Sequence, residues 1–326
     1  LWGYLVPVAL IGLIQSSPAD AESDYFAFPY VESAFSSGLS EDSQLDDDEY
    51  DYGLDLFAAV ETGDFLFLGE ALLAKHEQEI ERLQLGYRFG DSRIWLGRFH
   101  NPIGYWNSQY HHGAFLETSI SRPTIVDYED DGGPLPMHLA GLLLEGAKEG
   151  DNGLLGYSMS IAGGPELGSE LESFDVLNPT SGTQGLALTM NLFREPVAFG
   201  QDRYGLFANY TEIPAEERGF AEVRQFGAGV YWNWEPDSWR LIGSVLYIRN
   251  RLSQAAATQV DEFVSSYIQI EKSVHDSWTT FGRFEKTFAD DDDLYLGLFP
   301  EFIRERMLGG VRVAIHDRHA LKLELS

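Results

Sequence analysis

Apolar and polar residues alternate with a period of two along most of the chain, which predicts short antiparallel strands. In 81–89, Leu83, Leu85, Tyr87 and Phe89 share one face, and Arg82, Gln84, Gly86 and Arg88 share the other. In 223–233, Phe226, Ala228, Val230 and Trp232 oppose Gln225, Gly227, Gly229, Tyr231 and Asn233. In 304–316, Met307, Val311, Val313 and Ile315 oppose Arg304, Arg306, Gly310, Arg312 and His316. Polar faces of Arg, Gln, Asn and Gly with little Lys suit a water-filled lumen inside an apolar outer surface. A soluble sandwich also alternates, with its apolar face inward.

The lengths of the connections favour the barrel. Short turns are expected near Thr62-Gly63, Gly90-Asp91, 150–153, 235–238, 275–277 and 316–319. Longer connections fall between them at 36–50, 74–78, 100–137, 164–182, 212–220, 251–261 and 289–303. The connection 194–202 is the poor fit, being longish where a short turn is due. Short turns at one mouth and long loops at the other mark a transmembrane barrel. The predicted fold class is therefore all-β, an antiparallel transmembrane β-barrel. Taking 25–31 as the first strand, the count is about fifteen. Single-chain bacterial barrels have even strand numbers, and this chain ends inside a strand pattern at 320–325. The expectation is a barrel of about sixteen strands whose last strand is missing from the sequence.

Composition narrows the setting. The 326 residues carry 52 acidic and 22 basic side chains, a net charge of -30 that repels nucleic acid. With 0 Cys there is no disulfide, no Cys-ligated zinc and no Cys nucleophile. The aromatic share of 13% suits interfacial girdles. Acidic runs at Asp46-Asp47-Asp48-Glu49, Glu129-Asp130-Asp131 and 290–293 fall in the long connections, so most negative charge is expected on outer loops. The apolar stretch 5–14, followed by Ala19-Asp20-Ala21, predicts a signal peptide over 1–21, truncated at its start. It is too short for a transmembrane helix. A single barrel domain over 22–326 in the cell outer membrane then follows, with outer-membrane lipid around it.

The chemistry concentrates in one segment. Residues 98–122 read RFHNPIGYWNSQYHHGAFLETSISR, followed by Pro123. Within it GRFHNPIGYWN (97–107), Tyr110-His111-His112-Gly113 and SISRP (119–123) resemble a bacterial outer-membrane porin-like family related to the phosphate-selective porins. Leu308-Gly309-Gly310 and ALKLE (320–324) extend the resemblance toward the end of the chain. The resemblance implies a pore of about sixteen strands with a loop folded into the barrel. Physically, Pro102, Gly104, Pro123, Pro134 and Pro136 break any strand across 100–137. A loop inside a barrel sets passage by radius and charge. Its candidate constriction residues are Arg98, His100, Asn101, Tyr105, Trp106, Tyr110, His111, His112 and Arg122. Tyr105 and Trp106 equally suit packing of the loop against the wall.

Adjacent His111 and His112 on an extended chain point to opposite faces, and no spacing with His100 or His138 makes a metal set. No metal or other cofactor is expected, although a histidine pair beside a pore titrates near neutrality. The lumenal faces place Arg82, Arg88, Arg283, Arg304, Arg306 and Arg312 on the pore wall, with Lys322 and with Glu271, Glu285 and Glu324 among them. An Arg-rich wall favours anions, whereas paired Arg and Glu give weak selectivity. G-x-S-x-G, H-E-x-x-H, Walker A and G-x-G-x-x-G motifs are absent. The expected function is passive diffusion of small hydrophilic solutes or ions, with no enzymatic step. The alternatives are a barrel enzyme (lipase or protease) and a plugged structural or adhesion barrel. Monomer and homotrimer both stay open.

Overall fold

The computed structural model describes residues 21–34, 49–75, 78–110, 117–129, 131–177, 185–197, 200–254, 257–316 and 319–326. The stretch 5–14 expected to be a leader, Asp46–Asp48 and the His111-His112 pair lie outside the described residues. The chain is built from antiparallel strands. The first seven are β1 (Ala21–Ala34), β2 (Glu49–Thr62), β3 (Phe65–Ala74), β4 (Gln78–Phe89), β5 (Ser92–His100), β6 (His138–Gly150) and β7 (Gly153–Gly164). A small ribbon of β8 (Glu166–Leu167) and β9 (Leu171–Glu172) follows. The others are β10 (Gly185–Glu195), β11 (Arg203–Pro214), β12 (Glu222–Trp234), β13 (Trp239–Ser253), β14 (Thr258–His275), β15 (Trp278–Phe288), β16 (Glu305–His316) and β17 (His319–Leu325). All but β8 and β9 join one 15-stranded sheet in sequence order, with β1 and β17 at its edges. No helix among the described residues is long and apolar enough to cross a membrane.

The period-two pattern survives as an inside and an outside. In β7, Leu154, Gly156, Ser158, Ser160 and Ala162 are buried while Leu155, Met159 and Ile161 are exposed. Buried faces carry Gln84, Asn191, Asn209, Gln225, Asn233 and Gln269, and exposed faces carry Leu96, Leu206, Val230 and Leu323. Polar residues within and apolar residues without invert a soluble core and match a membrane barrel. Exposed Phe65, Tyr87, Phe89, Trp234, Trp239 and Trp278 lie beside short turns, and Tyr204 beside the longer connection 196–202 at the same end, forming a girdle at that rim. Gly63 (φ 58°) and Gly90 (φ 59°) open two of those turns in the left-handed region that tight hairpins require.

Two boundaries differ from expectation. β13 and β14 run on until only 254–257 connects them, instead of 251–261. Their ends are polar on the outer face, where Arg249 pairs with Glu262 at 3.2 Å, so hydropathy falls before pairing stops. β13 is also apolar on both faces. Inward Ile242, Leu246, Ile248 and Leu252 are fully buried, so something other than water covers this part of the inner wall.

Candidate pore constriction

What covers it is the loop 101–137 between β5 and β6. Its neck is tied by the Asn101 amide N–H donating to Met137 O (2.7 Å) and by Asn107 Nδ2 donating to Asn101 O (2.7 Å) and Met137 O (3.1 Å). Thr189 of β10 donates to Asn101 Oδ1 at 2.7 Å. Gly104 (φ 69°) then starts a short helix, α1 (Gly104–Gln109), which packs on β11, β12 and β13. Ile103, Tyr105, Trp106, Ile125, Leu135 and Met137 join Ile242, Leu246, Ile248 and Leu252 in one apolar cluster. The prolines that break strand pairing thus give a compact segment that buries its apolar side on the inner wall.

Beyond α1 the loop crosses to the strands at the far side of the sheet. Trp106 is fully buried, edge-on to Tyr110 and Tyr267, and donates to Glu117 Oε1 at 3.1 Å. Burial pushes the Glu117 carboxyl up, against the pull of Arg122 and other cations. Tyr105 receives Arg240 Nη2 at 3.0 Å. Thr118 donates to Glu271 (2.8 Å), and the Ile120 and Ser121 amides, with Ser121 Oγ, donate to Glu324. Thr124 donates to Glu285 through both its amide (2.7 Å) and its hydroxyl (2.9 Å). Arg283 lies beneath this crossing. Its guanidinium donates to Glu285, Gln269, Ser119 Oγ, Ser121 Oγ and Arg122 O, using all the directions a guanidinium has. Arg306 joins Glu285 (2.9 Å) and Arg122 O. Arg122 itself is buried, bonded to Val126 O (3.0 Å) and Tyr128 Oη (2.6 Å).

The β3–β6 side of the neck holds a buried ionic cluster. Gly97 has φ 141°, and a Cβ there would lie 1.9 Å from Leu83 O. Strand parity pairs Arg98 with exposed Leu96, yet Arg98 is buried, bonded to Glu79 and to Phe174 O (2.7 Å). A bulge in β4 opposite Ala71 likewise buries Glu81 next to Arg82. Glu81 reaches His138 Nε2 at 2.8 Å, Glu129 reaches His138 Nδ1 at 2.9 Å, and Glu70 lies 3.8 Å from His100 Nε2. Glu129, expected with the acidic outer loops, is instead buried because it serves this histidine. His100 and His138 are register partners with rings 5.5 Å apart.

The remaining space lies along the other wall. A mouth cavity of about 690 Å³ at the short-turn end is bounded by Arg88, Arg93, Lys148, Glu195 and Arg203. An inner cavity of about 290 Å³ shares Arg93, Glu145, Ser158, Phe193 and Arg203 with it and ends on the loop at Pro102, Asn107, Ser108 and Gln109. Here Arg82 pairs with Glu70, Arg93 with Glu145 (2.9 Å) and Arg203 with Glu195 (3.0 Å).

The predicted wall arginines therefore divide. Arg82 and Arg88 border this space, with Arg88 at the rim against Glu61. Arg283 and Arg306 lie under the loop, and Arg312 is partly buried on the same face of β16, opposite Thr279 and Lys322. Arg304 sits outside the wall, bonded to Asp290 O at 3.0 Å. Among the predicted loop residues, Asn101, Tyr105, Trp106, Tyr110 and Arg122 pack the loop, while Arg98 and His100 belong to its base. Sequence reasoning passed over Arg93, Arg203, Glu145 and Arg240. Parity was the available signal, since Arg93 shares its parity with Trp95 and Phe99, and Arg240 with Ile242 and Ser244.

An antiparallel sheet with a polar inner face and a loop folded across it defines the porin class of β-barrel. No family model and no curated protein matches the chain. Among solved structures it is similar to an anion-selective porin from Comamonas acidovorans (TM-score 0.61, 12% identity, covering 92% of this chain and 87% of that one). It is also similar to the outer membrane channel DcaP of Acinetobacter baumannii (TM-score 0.58, 12% identity, 94% and 91% covered). A third is Salmonella typhi OmpF in complex with daunomycin (TM-score 0.54, 11% identity, 91% and 86% covered). These likenesses establish the porin fold.

Proposed function

We propose that this chain is an outer-membrane pore through which small hydrophilic solutes and ions diffuse passively. The observation that carries the reading is the division of the interior. The loop fills the β12–β17 half, and a polar space bounded by Gln109, Ser108 and Arg82 stays along the other half. Passage is electrodiffusion past α1, with radius set by the loop and the barrier set by wall charge. Five basic residues (Arg82, Arg88, Arg93, Lys148, Arg203) and four acidic ones (Asp91, Glu145, Glu149, Glu195) border that space. The arginines expected to favour anions are largely neutralised there, so anions are preferred only weakly. One of the similar structures is an anion-selective porin, which is in keeping with that sign.

The test uses the absence of cysteine. Gln109→Cys, exposed on α1, gives a single thiol beside the passage. In planar bilayers the protein is expected to give stepwise conductance that falls on reaction with a bulky thiol reagent. A thiol at Leu206 on the outer surface is expected to be silent. A plugged barrel, the reading favoured by the extent of the loop's packing, predicts no steps at all.

A further inference from the structure

Resting on the pore reading, the structure assigns the Glu81–His138–Glu129 cluster a second role: it is a proton-operated latch that holds the returning limb of the loop against the wall. The limb comprises residues 127–129 and 131–137. Its Glu129 accepts from the Met137 and His138 amides (2.7 and 2.8 Å) with one carboxylate oxygen and meets His138 Nδ1 with the other. Glu81 holds Nε2 from β4, two strands from β6. Tyr128 stacks on the ring at 6.1 Å with an interplanar angle of 19°. All three charged residues are at most 4% exposed.

The proton count makes this a switch. Nδ1 is hydrogen-bonded to Glu129 and Nε2 lies 2.8 Å from a Glu81 oxygen, so the ring sits between two carboxylates, an arrangement that favours the imidazolium. Protonating either carboxylate removes one of the two anions and leaves a buried charge short of its partner. The other charged groups around the cluster are Glu70 of β3, Glu79 and Arg82 of β4, and Arg98 and His100 of β5. Arg82 and Arg98 are engaged by Glu70 and Glu79, so neither stands in for His138 as the partner of Glu129. Burial raises the Glu129 carboxyl, but the charge and hydrogen bonds of His138 outweigh it and hold it below the usual value. A depressed carboxyl contributes stability above its unfolded value and loses it as pH falls through the folded one. The latch therefore opens in acid. His100 and Pro102 line the inner cavity beside it, and on the pore reading a freed limb enters that space and narrows it.

A nitroxide on Asp131→Cys reads the limb without requiring conduction, and one on Gln109→Cys reads α1 as a control. From about pH 7 to about pH 3, the Asp131 label is expected to become roughly tenfold more mobile while the Gln109 label stays slow. Glu129→Gln is expected to mobilise the Asp131 label already at neutral pH, and Glu81→Gln reads the same latch from the wall should the first variant fail to fold. Conductance is expected to show acid closures in parallel. An Asp131 label that stays slow at every pH, or that moves only together with the Gln109 label, overturns the latch. A channel that never conducts but whose Asp131 label responds overturns the pore reading instead.

Discussion

The guanidinium of Arg283 donates to the backbone carbonyl of Arg122 across 2.8 Å, fastening β15 to the crossing segment of the loop. The same side chain holds Ser119 and Ser121 and is closed from behind by Glu285 and Gln269. Arg283→Ala removes these ties and leaves the buried Glu285 with Arg306 as its only ion-pair partner in the cluster. The expected result is a loss of about 3 kcal/mol in unfolding free energy, measured by denaturant titration in detergent. Open-channel noise should rise in the same variant, because the loop loses its central post.

Selectivity should respond to other arginines. Arg93 and Arg203 border the open space, whereas Arg283 is covered. Arg93→Ala and Arg203→Ala each leave an acid, Glu145 or Glu195, facing the passage. Reversal potentials in a salt gradient are expected to shift toward cations, with the anion-to-cation permeability ratio falling about twofold. A null effect there with a large shift in Arg312→Ala would move the passage to the opposite wall.

Strand identity, facing and the alternation of short and long connections were legible because a period of two is written in every hairpin. The break in strand pairing was legible from the prolines, but the contacts of the loop were not. Arg283 and Arg82 each belong to the inward-facing set of their own strand, and only the path of the loop decides which one is covered. A trace of that path existed in β13, whose inward Ile242, Leu246, Ile248 and Leu252 make no sense against water. Burial of Arg98 and Glu81 was hidden for a different reason. A bulge and a positive-φ glycine shift the facing locally, and alternation carries no sign of either.

Asp127 gives the loop a pH dependence of opposite sense to the latch. Burial, then the neighbouring Asp131 charge, push its carboxyl from an ordinary 3.8 up to about 8, against Arg122 and Arg306. The folded loop therefore holds a proton that the unfolded chain releases. That stability is present in full below the unfolded value and is lost as pH rises toward the folded one. Asp127→Asn should flatten the slope and leave the protein about 1–2 kcal/mol more stable than the parent near pH 9, partial exposure screening much of the shift. Unfolding midpoints across pH check this.

The outer surface makes its own test. Leu206 is 53% exposed on β11, two residues in from the rim aromatic Tyr204, a position that a soluble protein would surrender to a charge without loss. Leu206→Arg in a bilayer-embedded barrel should cost about 1–2 kcal/mol, between the midplane and interface values. The cost should appear in lipid vesicles as a lowered denaturant midpoint, with inward Ser160→Arg avoiding the lipid penalty.

Gly97 concentrates the demands of the neck in one position. Its φ of 141° lies where side chains are rarely accommodated, and the carbonyl of Leu83 occupies the site of a Cβ. Gly97→Ala must therefore either strain the backbone, at about 1–3 kcal/mol, or push β4 from β5. Separation loosens the pairing of Leu83 with Arg98 and exposes the Arg98–Glu79 pair that closes the base of the loop. The variant is expected to fold in lower yield, seen as loss of the heat-modifiable band on gels. The fraction that folds should show a mobile loop, because the loop's root is the part displaced. Substitution at Gly63, where a Cβ meets nothing, should spare the loop and cost only its turn.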